Sequence, residues 1–278
     1  METRISEFLE RSLGAGWLAP NYPFLFAVAI LLGLYLAVRR AQHSGLDPYQ
    51  VFKAGVIVVV AALISARLFV VLEEFGYYSE RPIEVLYYWQ GGLASSGAYV
   101  GGILAVFFSS WRLGLRPAKF LDCAAPSVAL AICLGRIGCF LNGCCYGRPS
   151  NLPWAVSFPA DSEPAFEQLL QGTIEPGQSS LPLHPTQLYE AVFGLALFLF
   201  LIRYSKRERR DGELIALLFL FYSGARFFVE MLRGDDRWMV AGIAVPQYLS
   251  VLGLVLSAAF LIATRKRTVR LMSVEAKA

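Results

Sequence analysis

Seven apolar stretches, near 21–38, 54–72, 92–111, 120–141, 187–203, 214–232 and 243–263, govern what this chain can become. Each is close to the roughly 20 residues that an α-helix needs to cross the hydrocarbon of a bilayer. In lipid the backbone must satisfy its own hydrogen bonds, so stretches of this kind fold as helices. The sequence therefore reads as an all-α integral membrane protein, a single transmembrane domain over residues 1–278. Composition agrees: 56% of residues are hydrophobic, only 17% are charged, and mean hydropathy is +0.52. A soluble domain carries about 25% charged residues. The net charge of +4 is small and gives no reason to expect a nucleic-acid partner.

The connecting segments alternate in charge. Arg39, Arg40 and Lys53 follow the first stretch, and Arg112, Arg116 and Lys119 the third. Arg203, Lys206, Arg207, Arg209 and Arg210 follow the fifth, and Arg265, Lys266, Arg267, Arg270 and Lys277 end the chain. The other connections are acid-rich, with Glu73, Glu74, Glu80 and Glu84, then Asp161, Glu163, Glu167 and Glu175, then Asp235 and Asp236. The positive-inside rule puts the basic segments and the C-terminus in the cytoplasm, and seven spans put the N-terminus outside. Residues 143–185 become one long extracytoplasmic loop, a lid or docking surface, with Trp154 and Phe158 able to dip into the interface. Residues 1–20 lack an apolar core long enough for a cleavable signal. Ile5, Phe8, Leu9 and Leu13 make a helical stripe suited to lying on the outer interface, with a disordered polar start as the alternative.

Polar groups inside the apolar stretches mark the candidate site. Residues 134–150, LGRIGCFLNGCCYGRPS, begin as apolar helix, carry Arg136, and dissolve into glycines and cysteines. An arginine at that depth costs about 2.5–3.5 kcal/mol on insertion scales and needs a partner or a task. Glu190 lies on one helix face with Thr186 and Gln187 and is the simplest partner for Arg136 or Arg67. Arg226 and Glu230, at i,i+4 with Tyr222 one turn earlier, read either as a self-neutralising pair or as part of a shared cavity. Arg67 reads equally as a side chain snorkelling toward Glu73 or Glu74. Three arginines against two glutamates leave one positive charge, which suits an anionic lipid headgroup, because a guanidinium grips phosphate in a fork. Asp122, about 20 Å from Arg136 by helix rise, reads instead as a partner of Arg116 or Lys119.

Other positions carry weaker signals. Tyr22 suits an interfacial anchor or a site residue, and GGLASSGAYVGG over 91–102 suits close helix packing, with Ser95 and Ser96 as polar groups to be satisfied. Five cysteines occur, of which Cys123 and Cys133 read as small packing residues. Cys139, Cys144 and Cys145 favour a disulfide or inert thiols over a metal, since C-x4-C-C lacks the usual C-x2-C spacing and His184 is the only histidine near them. No metal and no cofactor is expected. His184, before a proline at the membrane edge, is a candidate proton acceptor or headgroup ligand.

The motif GRIGCFLNGCCYGRPS resembles the signature of the prolipoprotein diacylglyceryl transferase family, close to GR-x-G-N-F-x-N-x-E-x-x-G. The resemblance extends to Tyr22, GGLASSGA, LHPTQLYE and the Tyr222-x3-Arg226-x3-Glu230 pattern, and covers most of the chain. It implies a bacterial cytoplasmic (inner) membrane enzyme working at the outer face. Such an enzyme moves a diacylglyceryl group from phosphatidylglycerol to the lipobox cysteine of a preprolipoprotein signal peptide and releases glycerol phosphate. It further implies that Arg136 and Arg226 stabilise the leaving phosphate and that Glu230 holds Arg226; with Ser96 where the family often has histidine, the base is His184 or Tyr222, or the thiol ionises in the arginine field alone. Tyr22, Arg67, Ser96, Cys139, Asn142, Gly143, Gly147, Gln187, Tyr189 and Glu190 would then bind substrate among the membrane lipids. The chain departs from the pattern at Ser96, where the family often has histidine, and at Cys139 and Cys144, which replace asparagine and glutamate. A paralogue with another acceptor, or a lipid-binding or transport protein, is the alternative, although neither an internal repeat nor paired broken helices point to transport.

Overall fold

In the computed structural model the described residues are 22–88, 92–235 and 239–275, apart from the side chains of Tyr22, Pro23, Ser95 and 265–275. The interfacial helix expected over 1–20, Gly91 and the side chain of Tyr22 thus lie outside the described residues. All seven apolar stretches are helical. They are α1 (Tyr22–Ala41), α2 (Pro48–Glu73), α4 (Ser95–Arg112), α5 (Pro117–Asn142), α7 (Thr186–Tyr204), α8 (Glu213–Leu232) and α9 (Val245–Glu275). Two short helices, α3 (Phe75–Glu80) and α6 (Glu163–Leu170), lie in connections, and strands β1 (Met239–Val240) and β2 (Ile243–Ala244) pair antiparallel before α9. Six of the long helices are long and apolar enough to cross a membrane. The remaining one, α4, is 18 residues long, and its serines and glycines dilute its hydropathy. Large apolar side chains such as Leu31, Val60, Phe107, Leu199, Phe219 and Val255 are exposed. Apolar surface on that scale calls for lipid rather than water.

Contacts divide the chain into two compact units, residues 34–124 and residues 1–33 with 125–278. In the first, Asp47 caps α2 by accepting a 3.0 Å hydrogen bond from the Tyr49 N–H, with Pro48 at the first helical position. Ala37, Ala41, Val51, Ala54, Leu115, Phe120 and Cys123 form its buried core, and Asp122 is buried in the same unit. The small residues of α4 let it press against α2. A Cβ added at Gly97 would collide with the Ser65 carbonyl oxygen and lie 2.6 Å from the Phe69 Cβ. Arg67 is buried here, donating to the carbonyl oxygens of Val85 (3.0 Å), Gly92 (3.0 Å) and Glu84 (2.5 Å), with its guanidinium 5.3 Å from the Tyr78 ring centroid.

Gly97→Val is accordingly expected to destabilise the protein by about 1–3 kcal/mol, the usual cost of overpacking. In detergent its Tm should fall, whereas Gly76→Ala, at a site with nothing within 4 Å, should leave Tm unchanged. An unchanged Tm for Gly97→Val would mean that α2 and α4 are not so close.

In the second unit α5 and α7 meet at Gly194, where an added Cβ would lie 3.0 Å from the Cys133 nitrogen and 3.1 Å from the Ala129 oxygen. Ala125, Ala129, Leu197, Leu201, Leu214 and Leu218 fill the space between α5, α7 and α8. Residues 143–185 are folded, with a small core of Tyr146, Val156, Phe158 and Leu183 against Phe140. Phe158 is completely buried, which corrects the reading that it is able to dip into the membrane interface. Its ring packs edge-on against Phe140 instead. Trp154 stays exposed, and its Nε1–H donates to the Tyr189 hydroxyl at 2.8 Å.

Candidate active site

Three helices of the second unit bring four charged side chains together. Arg136 comes from α5, Glu190 from the first turns of α7, and Arg226 and Glu230 from adjacent turns of α8. Glu190 sits between the two guanidinium groups, 3.0 Å from Arg136 Nη2 and 2.6 Å from Arg226 Nη1. Arg226 reaches on through Nη2 to Glu230 at 2.7 Å, and Tyr222 donates its hydroxyl to Glu190 at 3.4 Å. The carboxylates are the buried part, with side chains 3% and 0% exposed for Glu190 and Glu230. The arginines keep 17% and 14% of their surface.

That asymmetry decides what the cluster can do. A carboxylate buried this deeply needs a cation beside it, so the glutamates fix where the guanidinium groups stand. Arg136 meets its partner through Nη2 alone among the described residues, which leaves the donors on Nε and Nη1 for something else. The four side chains are charge-balanced, two against two; Arg67 belongs to the other unit and is held by backbone carbonyls. Two preset, partly exposed guanidinium groups make a receptor for an oxyanion, most naturally a phosphate.

Next to Arg136 the chain turns back on itself. The Gly143 N–H bonds to the Phe140 carbonyl (3.3 Å) and the Cys144 N–H to the Cys139 carbonyl (3.1 Å). Gly143 adopts φ 74°. This is the Schellman ending of a helix, in which only a glycine is unstrained at the left-handed position. Cys145 is also left-handed, at φ 61°. The turn is held by the start of α7: Thr186 donates to the Cys145 carbonyl and Gln187 Nε2 to the Cys144 carbonyl, both at 2.8 Å. Gln187 is fully buried, and its Oε1 has no partner among the described residues, an acceptor suited to a ligand hydroxyl or water. Asn142 is exposed at the helix end.

Gly147 fits where no side chain does, since an added Cβ would lie 2.5 Å from His184 Cβ. His184 itself is half-buried, with Nδ1 3.3 Å from the Tyr189 hydroxyl, so His184, Tyr189 and Trp154 form a group of their own. Ser96 is exposed on α4 in the other unit. One further cation stands beside the site. Arg233, three residues beyond Glu230, is buried, paired with Asp235, and tied in by the Arg148 Nε–H, which donates to its carbonyl at 3.2 Å. Burial works against its charge, but the Asp235 carboxylate keeps its pKa above the ordinary arginine value. The Cys145 thiol is held well below the usual thiol range by hydrogen bonding with Cys139 and Cys144 and by the nearby Arg233 and Arg136.

The family model described as prolipoprotein diacylglyceryl transferase matches residues 18–263. The chain belongs to that family. A phosphatidylglycerol–prolipoprotein diacylglyceryl transferase of Clostridium tetani is 31% identical over 85% of this chain and 89% of its own length. Proteins of the same name from Synechococcus elongatus and Corynebacterium diphtheriae are 34% and 32% identical, over 84% and 87% of this chain and 79% and 88% of their own lengths. With its helices long enough to span, this diacylglyceryl transferase family member is a multi-pass membrane protein.

Proposed function

We infer that this chain transfers the diacylglyceryl group of phosphatidylglycerol to the cysteine thiol of a prolipoprotein and releases glycerol phosphate. The relatives' names specify that lipid and that acceptor. The observation that carries the chemistry is the Arg136–Glu190–Arg226–Glu230 cluster. In the reaction a sulfur attacks the lipid's CH₂–O carbon, a C–S bond replaces the C–O bond, and the electron pair leaves with the phosphate. The thiol proton goes to a base. Charge grows on the phosphate as it departs, so Arg136 and Arg226, already in place, bind that moment more tightly than the starting lipid. Glu230 and Glu190 hold them, and Tyr222 lines the same cluster. Gln187 Oε1 would accept a headgroup hydroxyl, and Asn142, Gly143 and Gly147 would shape the pocket around it. Tyr22, Cys139 and Tyr189 complete the proposed lipid path. His184, hydrogen-bonded to Tyr189, is the proposed base.

The topology that suits this chemistry has seven crossings in one domain, with α4 as the third, the N-terminus outside and the basic tail in the cytoplasm. The alternating charge of the connections supports it. Residues 143–185 would then lie on the outer side of a bacterial cytoplasmic membrane and admit the signal-peptide cysteine.

The test is incubation of purified protein with labelled phosphatidylglycerol and a lipobox peptide. Thioether-linked diacylglyceryl peptide is the expected product. Lipid turnover only with other acceptors would make the chain a paralogue, and lipid binding without turnover would make it a binding or transport protein.

A further inference from the structure

We propose that Cys139, Cys144 and Cys145 form a three-thiolate site for a single soft cation, Cu⁺ or Zn²⁺. Their sulfur atoms all lie within 4.8 Å of one another, and all three cysteines are free. Three sulfurs bound to one ion at about 2.3 Å stand about 4 Å apart, so the group needs only a small closing movement to ligate. Soft thiolates select this class of ion over magnesium, calcium or manganese.

The spacing C-x4-C-C argued against a metal, and the backbone shows how it is overcome. In a Schellman ending the sixth residue returns to the first through a hydrogen bond, and here these are Cys144 and Cys139. The pair that looks too far apart in sequence is brought together by the helix end itself. The left-handed Cys145 then sets its thiol beside the other two, a conformation that a residue with a Cβ adopts only when its surroundings enforce it. The cradle is rigid, because Thr186 and Gln187 on α7 hold the carbonyls of Cys145 and Cys144.

Charge fits as well. Three thiolates leave a net charge of minus one with Zn²⁺ and minus two with Cu⁺, and Arg136 and Arg233 both act on Cys145 electrostatically. A thiol that still carries its proton releases it as its sulfur–metal bond forms, so binding should strengthen as pH rises. The site is independent of the transferase reading: a protein that binds the ion but transfers no lipid would still satisfy it.

The experiment uses the reduced, full-length protein in detergent, titrated with Zn²⁺ alone and with Cu⁺ alone against a chromophoric chelator. One equivalent of one ion is expected, the titration naming which. Cys139→Ser, Cys144→Ser and Cys145→Ser should each weaken it by more than the roughly 10–100-fold that loss of an outer partner costs. Cys123→Ser should not. Should a serine variant fail to fold, the wild-type protein still decides: bound ion must slow alkylation of Cys139, Cys144 and Cys145, read by peptide mass. The proposal is overturned if neither ion binds beyond the level of the triple serine variant. It is equally overturned if alkylation of these three is indifferent to metal, or if the protein as isolated carries a disulfide between any two of them.

Discussion

Arg136→Ala is expected to lower kcat/KM for thioether formation by about 10²–10³-fold, the loss usual when one donor to a developing oxyanion is removed. It should do so without unfolding the protein. Glu190, the residue that Arg136 touches, keeps Arg226 at 2.6 Å, so the buried carboxylate is not left alone. Arg136→Lys restores the charge but not the fork of donors, and should recover only part of the activity. Arg226→Ala removes the same kind of donor yet strips Glu230 of the cation it meets at 2.7 Å. It should therefore lose activity and stability together. Labelled-lipid assays alongside Tm in detergent separate the two. Full activity in Arg136→Ala with an intact Tm would remove the phosphate receptor from the mechanism.

How far the sequence reaches depends on whether a feature is local. Apolar runs of about 20 residues have one solution in lipid, so all seven helices were legible, with α2 starting six residues early because Asp47 and Pro48 form a start signal outside the apolar run. Arg226 and Glu230 were legible for the same reason, since helix geometry alone sets i,i+4 neighbours together. Glu190 was readable only as a carboxylate in search of Arg136 or Arg67. Which arginine it meets is set by how α5 and α7 pack at Gly194, and no local rule gives that. Phe158 was misjudged because an aromatic in a proline-rich loop looks the same in sequence whether it faces a membrane or a loop core; Phe140 decides the matter from a different element. The cysteine group was hidden by counting spacing along the chain where the helix ending folds it back. The burial of Arg233 was hidden because it is made by Asp235 and the Arg148 loop rather than by hydrophobic neighbours in sequence.

Glu190→Gln should be the most damaging conservative change in the chain. The amide keeps the shape of the side chain but brings no negative charge between the guanidinium groups of Arg136 and Arg226, which lie 3.0 and 2.6 Å from its oxygens. Removing one partner of a buried ion pair costs about 3–5 kcal/mol, because the remaining charge is left in a poor solvent. Here Arg136 loses the one carboxylate it meets among the described residues, while Arg226 keeps Glu230 at 2.7 Å, so the loss should lie within that range and appear as a fall in Tm. Activity should fall toward the level of Arg136→Ala, since Arg136 loses the group that aims it and Arg226 loses one of two. A double-mutant cycle tests the cause directly. If Glu190 works by holding Arg136, deleting Arg136 in the Glu190→Gln background relieves repulsion, and the double variant should be more stable than the sum of the single effects by about 0.5–3 kcal/mol. Strict additivity would mean that the carboxylate and this arginine act separately, and that something other than Glu190 positions the guanidinium against the lipid.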